Sequence, residues 1–281
     1  DHRDLHSFPT RRSSDLMAPP PAARKAGGEM IAPDSDFFSG FVFKIQANMN
    51  PDHRDRMAFI RICSGKYEKG LQVDLALSGK SVKLTQPQQF MAQDRTIVEQ
   101  AYAGDIIGVF DPGIFRIGES MASGGRKLQF ESIPVFPPEH FARIYVKDSM
   151  KRKQFLKGIE QLALEGAVQL YKQPDIGTET YIAGVVGVLQ FEVLEYRLKA
   201  EYNVEVTMSR LNYKLARWVR FKDASFARDL KDLTLTSTSL PVLDSSSSPV
   251  VLFESLWAID WALERNKGLI FDEISEQSFR D

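Results

Sequence analysis

The sequence is poor in residues that staple, chelate or span. Cys63 is its one cysteine, which excludes an internal disulfide and suits a reducing, cytoplasmic setting. The four histidines, His2, His6, His53 and His140, are scattered. With a single thiol they offer no zinc-like ligand spacing, so no metal is expected. No run approaches the roughly 18 apolar residues of a membrane helix, and the N-terminus lacks the apolar core of a signal peptide. A membrane is therefore not an expected partner. Neither sign of charge dominates: 36 Lys and Arg stand against 37 Asp and Glu, a net charge of −1. Without a global basic excess, DNA is not an expected partner, and any nucleic-acid contact must come from a local patch. No Ser/His/Asp set or close carboxylate pair stands out. His53, in the charged turn DHRDR, and His140, near a domain boundary, read as surface residues rather than general bases. No catalytic residue is expected.

What remains is a globular composition over 281 residues, 43% hydrophobic and 26% charged, enough for two domains. Residues 1–16 show no periodicity. Residues 17–38 open with MAPPPAARKAGGEM, a Pro/Ala/Gly-rich stretch that reads as an interdomain linker because it offers little apolar area to bury. From 39 to 134 short strands follow closely: FVFKIQAN, MAFIRICSG, LQVDLAL, SVKLT, IIGVF, FRIGESM and LQFESI, separated by Gly-containing turns. That spacing predicts a closed antiparallel β-barrel. Pro137 and Pro138 mark a boundary that neither strand nor helix should cross.

The second domain, 138–281, changes character. FARIYVKD, VQLYKQ, TYIAGVVG and VEVTMSRL read as strands. KRKQFLKGIEQLALEGA and VLQFEVLEYRLKAEYN carry apolar residues at spacings of three and four and read as helices. The order βαββαβ predicts a ferredoxin-like α/β domain, its crossover helices allowing parallel strand pairs. A C-terminal α/β extension follows: ARWVRF as a strand, SFARDLKDL as a helix, LTSTSLPVLDSSSSP as a loop, then PVVLFES, LWAIDWALERN and LIFDEIS as strand, helix and strand.

Three stretches imitate nucleotide sites. SGKS at 78–81 resembles the end of a P-loop, but the glycine required five positions before Gly79 is Asp74. NKG at 266–268 lacks the carboxylate that would read a guanine base, because Leu269 stands there. GVVGVLQ, from Gly184, could aim backbone amides at a phosphate from a helix start, although tight strand–helix packing explains it as well. No nucleotide-binding residue is expected. Basic clusters do exist. Arg54, Arg56, Arg61, Lys66 and Lys69 surround the first barrel hairpin, with Tyr67 among them. Lys147, Lys151, Arg152, Lys153 and Lys157 open the first helix of the second domain. Either attracts phosphate or is an ordinary solvated face balanced by Asp52, Asp55, Glu68 and Asp148.

RICSGKYEKG, AYAGDIIGV and IGESM, in this order, resemble the turns of the second domain of translational GTPases. FSGFVFKIQANMNPDHRDRMAFIR, LKGIEQLALEGAVQ, GVVGVLQFEVLEYRLKAEYNVE and ARWV are similar to one branch, the bacterial peptide chain release factor 3 family. The resemblance spans about residues 17–281 and weakens after about 222. It implies a translation-factor β-barrel followed by the release-factor α/β domain, and a C-terminal fragment whose GTPase domain, with its GTP and magnesium, is missing. The fragment itself would then be no enzyme and would hold no cofactor. The implied partners are the ribosome (rRNA and small-subunit proteins), class-1 release factors and the missing GTPase domain. The resemblance turns all eleven cluster residues into candidate rRNA contacts. Elongation factor G or a ribosomal protection protein is the alternative, since LQFEVLEYRLKAEYNVE resembles their third domain too. An enzyme or small-molecule module with an unseen site is the third reading. Finally, SFPTRRSSDL (Ser7–Leu16) closely resembles the conceptual translation of a DNA-sequencing adapter. Residues 1–16 are therefore expected to be adapter read-through joined to a truncated gene, with no weight as a basic arm.

Overall fold

A computed structural model describes residues 19–47, 56–85, 88–91, 94–131, 136–174 and 180–274. The adapter-like string and Arg54 lie outside the described residues. The chain forms two compact units. The first is drawn from residues up to 43, 58–110 and 118–131, and the second from 44–57, 111–117 and 132 onward.

The strands of the first part are β1 (Arg24–Ala26), β2 (Glu29–Ile31), β3 (Ser39–Ala47), β4 (Arg56–Ser64), β5 (Lys66–Glu68), β6 (Gln72–Leu75), β7 (Ser81–Lys83), β8 (Gln88–Met91), β9 (Asp94–Ile97), β10 (Gln100–Tyr102), β11 (Ile106–Phe110) and β12 (Ser120–Ala122). Eight of them form one sheet in the order β7-β6-β12-β3-β4-β11-β8-β9, and β10 pairs with β5 alone. Where their registers are defined the ladders are antiparallel. The order runs between two edges, β7 and β9, instead of closing on itself among the described residues. Alternation shows at the end of β3, which buries Ile45 and Ala47, and in β4, which buries Ile60 and Ile62.

Several expectations need correction. FRIGESM is strand only at Ser120 and Met121, where β12 begins. The described residues of LQFESI, 128–131, contribute a single bridge, Phe130 to Ala26, rather than a strand. The segment read as a linker holds the hairpin β1–β2, turned at Gly27 and Gly28, both with positive φ. Ala26 and Ile31 of that hairpin bury against Cys63 and Phe130. Bulk composition misread it: two apolar residues at matching positions suffice when a preformed surface receives them.

Gly65, the glycine of the RICSG turn, has φ +66°, and a Cβ there would stand 2.3 Å from the Phe37 carbonyl oxygen. Beside it the Ser39 and Ser64 hydroxyls meet at 2.6 Å, and Ser64 Oγ donates to the Phe37 oxygen at 3.0 Å. A methyl group would have to displace backbone as well as hold a left-handed conformation. Gly65→Ala is expected to cost about 2–3 kcal/mol, read as a lowered urea midpoint.

The second unit carries β13 (His140–Val146), α1 (Arg152–Leu164), β14 (Gln169–Lys172), β15 (Tyr181–Val185), α2 (Leu189–Tyr202) and β16 (Val206–Leu211), the βαββαβ order read from the sequence. Its strands lie as β16-β13-β15-β14. No parallel pair forms among them: β13 runs antiparallel to both β15 and β16, and β14 to β15. The two βα units interleave, so each crossover joins strands that are next-but-one neighbours. Ala142, Ile144 and Ala183 face the helices and pack with Phe155, Ile159 and Leu162 of α1 and Phe191, Leu194 and Leu198 of α2. Helix α2 also leaves Leu189, Val193 and Tyr196 exposed on its other side.

The extension does not form a separate layer. Strands β17 (Leu215–Phe221), β18 (Leu240–Asp244), β19 (Pro249–Phe253) and β20 (Leu269–Asp272), with α3 (Leu256–Arg265), continue the same sheet as β14-β18-β19-β17-β20. Phe141, Tyr171 and Ile182 share a core with Ala216, Trp218, Val242, Val250 and Leu252. SFARDLKDL, expected as a helix, makes only two 3-10 turns, Ala224–Phe226 and Leu230–Asp232. There the Asp223 carboxylate takes the Ser225 amide, a local bond that competes with helix. The expected loop contains β18 and ends in a turn built on Asp244, whose Oδ1 accepts from the Ser246 and Ser248 amides and whose Oδ2 accepts from Trp218 Nε1 at 2.8 Å. Among the described residues no helix is long and apolar enough to cross a membrane.

Candidate nucleic-acid interface

The described residues of the first basic cluster have different surroundings. Arg56 lies against Asp111 in the second unit: Nε stands 2.7 Å from Oδ2, and the Asp111 side chain is wholly buried. The two atoms attract as charges without hydrogen-bond alignment, while Arg56 Nη2 donates to the Phe115 carbonyl at 3.1 Å. The other Asp111 oxygen, Oδ1, accepts from the Gly113, Ile114 and Phe115 amides. Arg56 is thus committed to holding the loop after β11. Tyr67 is core: its ring is buried, its hydroxyl donates to the Leu84 carbonyl at 3.3 Å, and burial raises its pKa. Lys66 pairs with Glu68 at 2.9 Å and sits 5.6 Å from the centre of the Tyr102 ring. Arg61 is half-buried on β4, and Lys69 is exposed.

The second cluster lies between the end of β13 and the first turns of α1. β13 ends at Val146, and Asp148 Oδ1 accepts from the Met150 amide at 2.9 Å, opening the short turn Ser149–Lys151 that leads into α1. Lys151, Arg152 and Lys153 therefore stand at the start of the helix, whose first turn holds no acidic residue. Lys153 and Lys157, four apart, are exposed on one side of α1. Lys151 Nζ donates to Asn203 Oδ1 at 3.4 Å. Lys147 lies 3.6 Å from Glu205, which also takes Lys199 at 3.0 Å. Lys199, and secondarily Lys147, hold the Glu205 carboxyl below its usual range. Lys199 was missed by the sequence reading because it lies on α2, some forty residues after the run that signals the cluster.

The nucleotide look-alikes resolve into structure. At the start of α2 the Val186 and Gly187 amides both donate to Gln190 Oε1 at 2.9 Å, so they are not free for a phosphate. Asn266 is buried and exchanges side-chain bonds with Thr234, accepting from its amide and donating to its carbonyl. The glycine of SGKS turns the chain between β6 and β7 with φ +65°. Among the described residues no group of three His, Cys, Asp or Glu could hold a metal.

One polar cluster had no signal beyond an i,i+4 pair. Glu165 follows α1, and its side chain is only 5% exposed. Oε1 accepts from the Ala47 amide at 3.1 Å, and Oε2 from Arg197 Nη1 at 2.8 Å. Glu201 grips the same guanidinium at 2.5 Å and 3.1 Å. Burial raises the Glu165 pKa, against the opposing pull of Arg197. Burial works against the Arg197 charge, but bonds to Glu201 and Glu165 hold it above its ordinary range. A cleft of about 310 Å³ adjoins the cluster, lined by Lys44 to Ala47, Glu165, Ala167, Arg197 and Glu201.

Residues 130–263 match the family described as class II release factor RF3, C-terminal domain, and residues 37–124 match elongation factor G domain 2. Peptide chain release factor 3 of Symbiobacterium thermophilum is 51% identical over 255 residues, covering 91% of this chain and 47% of the relative. The chain is similar to peptide chain release factor 3 along most of its length, and its residues 130–263 match that factor's C-terminal domain. Its counterpart in Listeria welshimeri is 49% identical over 253 residues, with coverage of 90% and 47%. The chain thus spans about half the length of the release factor 3 relatives it matches. The C-terminal family match continues to residue 263, past the point near 222 where the resemblance by eye weakens. A crystal structure of a Thermus thermophilus protein shares the fold over 68% of this chain and 29% of its own, with TM-score 0.53 at 21% identity.

Proposed function

We propose that this chain is the ribosome-binding C-terminal part of a GTP-dependent release factor that promotes dissociation of class-1 release factors at termination. The residues around the start of α1 would meet rRNA phosphates. One observation carries this reading: Lys151, Arg152 and Lys153 crowd the positive end of a helix that has no acid in its first turn. Cations there oppose the helix dipole, a local cost that an external anion would reverse. Similarity to release factor 3 supports a phosphate-rich partner. GTP and magnesium would belong to the part of the relatives that this chain does not span, and the chain itself would neither bind nor hydrolyse GTP. In a whole factor, nucleotide state would reorient the GTPase domain and move these domains as rigid bodies against the small subunit.

The test is pelleting with purified bacterial ribosomes at two salt concentrations. The chain is expected to co-sediment at low salt and to be released as salt rises, with no affinity for a fluorescent GTP analogue. Failure to co-sediment at low salt would sink the proposal.

A further inference from the structure

We infer that Glu165 is the centre of a breakable joint that sets the end of β3 against the two helices of the second unit. Its two oxygens serve different elements. Oε1 takes the amide of Ala47, 118 residues away, and Oε2 takes Arg197 of α2, 32 residues away. Glu201 completes the set by holding the guanidinium on two further hydrogen bonds, which leaves Arg197 little freedom to turn. One buried carboxylate thereby fixes three elements at once: the last residue of β3, the end of α1 and the middle of α2.

The form of this link argues for a joint rather than filler. A carboxylate with 5% exposure is an expensive way to occupy space, since burial disfavours its charge unless donors compensate. Apolar packing would cost less and would be non-directional. Hydrogen bonds, in contrast, fix direction and fail over a few tenths of an ångström. The adjoining cleft of about 310 Å³ gives the stretch from Lys44 to Ala47 room to shift once the bond to Glu165 is lost. The arrangement therefore has a held state and a released one. It rests on this geometry alone and stands apart from the reading of α1 as an RNA contact.

The test is amide hydrogen exchange followed by NMR on the full chain, with Ala47 as reporter. Val42, earlier in the same strand, is the internal reference; its amide donates to the Glu119 carbonyl at 2.9 Å. Glu165→Ala is expected to speed Ala47 exchange at least about tenfold while Val42 is unchanged, the loss expected for a hydrogen bond to a charged group. Glu165→Gln keeps an acceptor but not the ion pair and should fall between the two. Glu201→Gln leaves the buried carboxylate in place and loosens only the grip on Arg197, so it should give a smaller rise. It provides the same reading if Glu165→Ala does not fold. Ala47 exchange as slow as in the parent chain would overturn the inference. So would a rise spread evenly over β3 and α1, which would reveal general destabilisation without a joint.

Discussion

Asp111→Ala is expected to lower stability by about 3–5 kcal/mol, and the melting temperature by roughly 10 °C for a chain of this size. Two losses add. The loop after β11 gives up the acceptor shared by the Gly113, Ile114 and Phe115 amides. The Arg56 side chain, only 14% exposed, loses its ion-pair partner. Asp111→Asn retains an acceptor for the amides but strands the arginine, and should cost less. The double variant Arg56→Ala/Asp111→Ala should cost less than the sum of its parts, because neither charge remains buried alone. Thermal melts followed by circular dichroism decide it. A single variant within about 1 kcal/mol of the parent chain would be the size of an ordinary substitution and would show that the pair does not hold the loop.

Lys153→Glu/Lys157→Glu is expected to weaken ribosome binding by about tenfold to a hundredfold at low salt, and to reduce the slope of log affinity against log salt by about two. Both lysines are exposed on one side of α1, so reversing them places repulsion where phosphate would sit without touching the core. Lys69→Glu is the control from the first cluster: an exposed cation without the helix end behind it. Quantitative pelleting over a salt series gives both numbers. If the two α1 lysines matter no more than Lys69, the α1 surface is not the contact.

Regular elements were legible where periodicity is local. The period-two pattern of β3 and β4 and the apolar stripes of α1 and α2 placed those elements to within a few residues. The βαββαβ order followed from them, whereas the antiparallel sense of β13 did not, because crossovers that interleave look the same in sequence as crossovers that neighbour. β1–β2 and β18 were hidden by proline, glycine and serine, whose composition reads as loop until a receiving surface exists. The candidate site was legible as residue types and illegible as commitments. Arg56 and Lys153 look alike in sequence; only the fold brings Asp111 to the first, 55 residues on, and leaves the second in solvent. Glu165 carried no signal because its partners are Ala47 and Arg197, each on a distant element.

The shared core beneath β13–β15 and β17–β19 bears on how this chain can be trimmed. A chain cut after β16 would keep every element of the βαββαβ unit. It would nonetheless strip β14 of its neighbour β18 and bare Phe141, Tyr171 and Ile182, which pack on Trp218, Val250 and Leu252. The ferredoxin-like part alone would therefore expose one of its hydrophobic faces. The extension supplies the other half of one of its two hydrophobic faces, and the two must be inherited together.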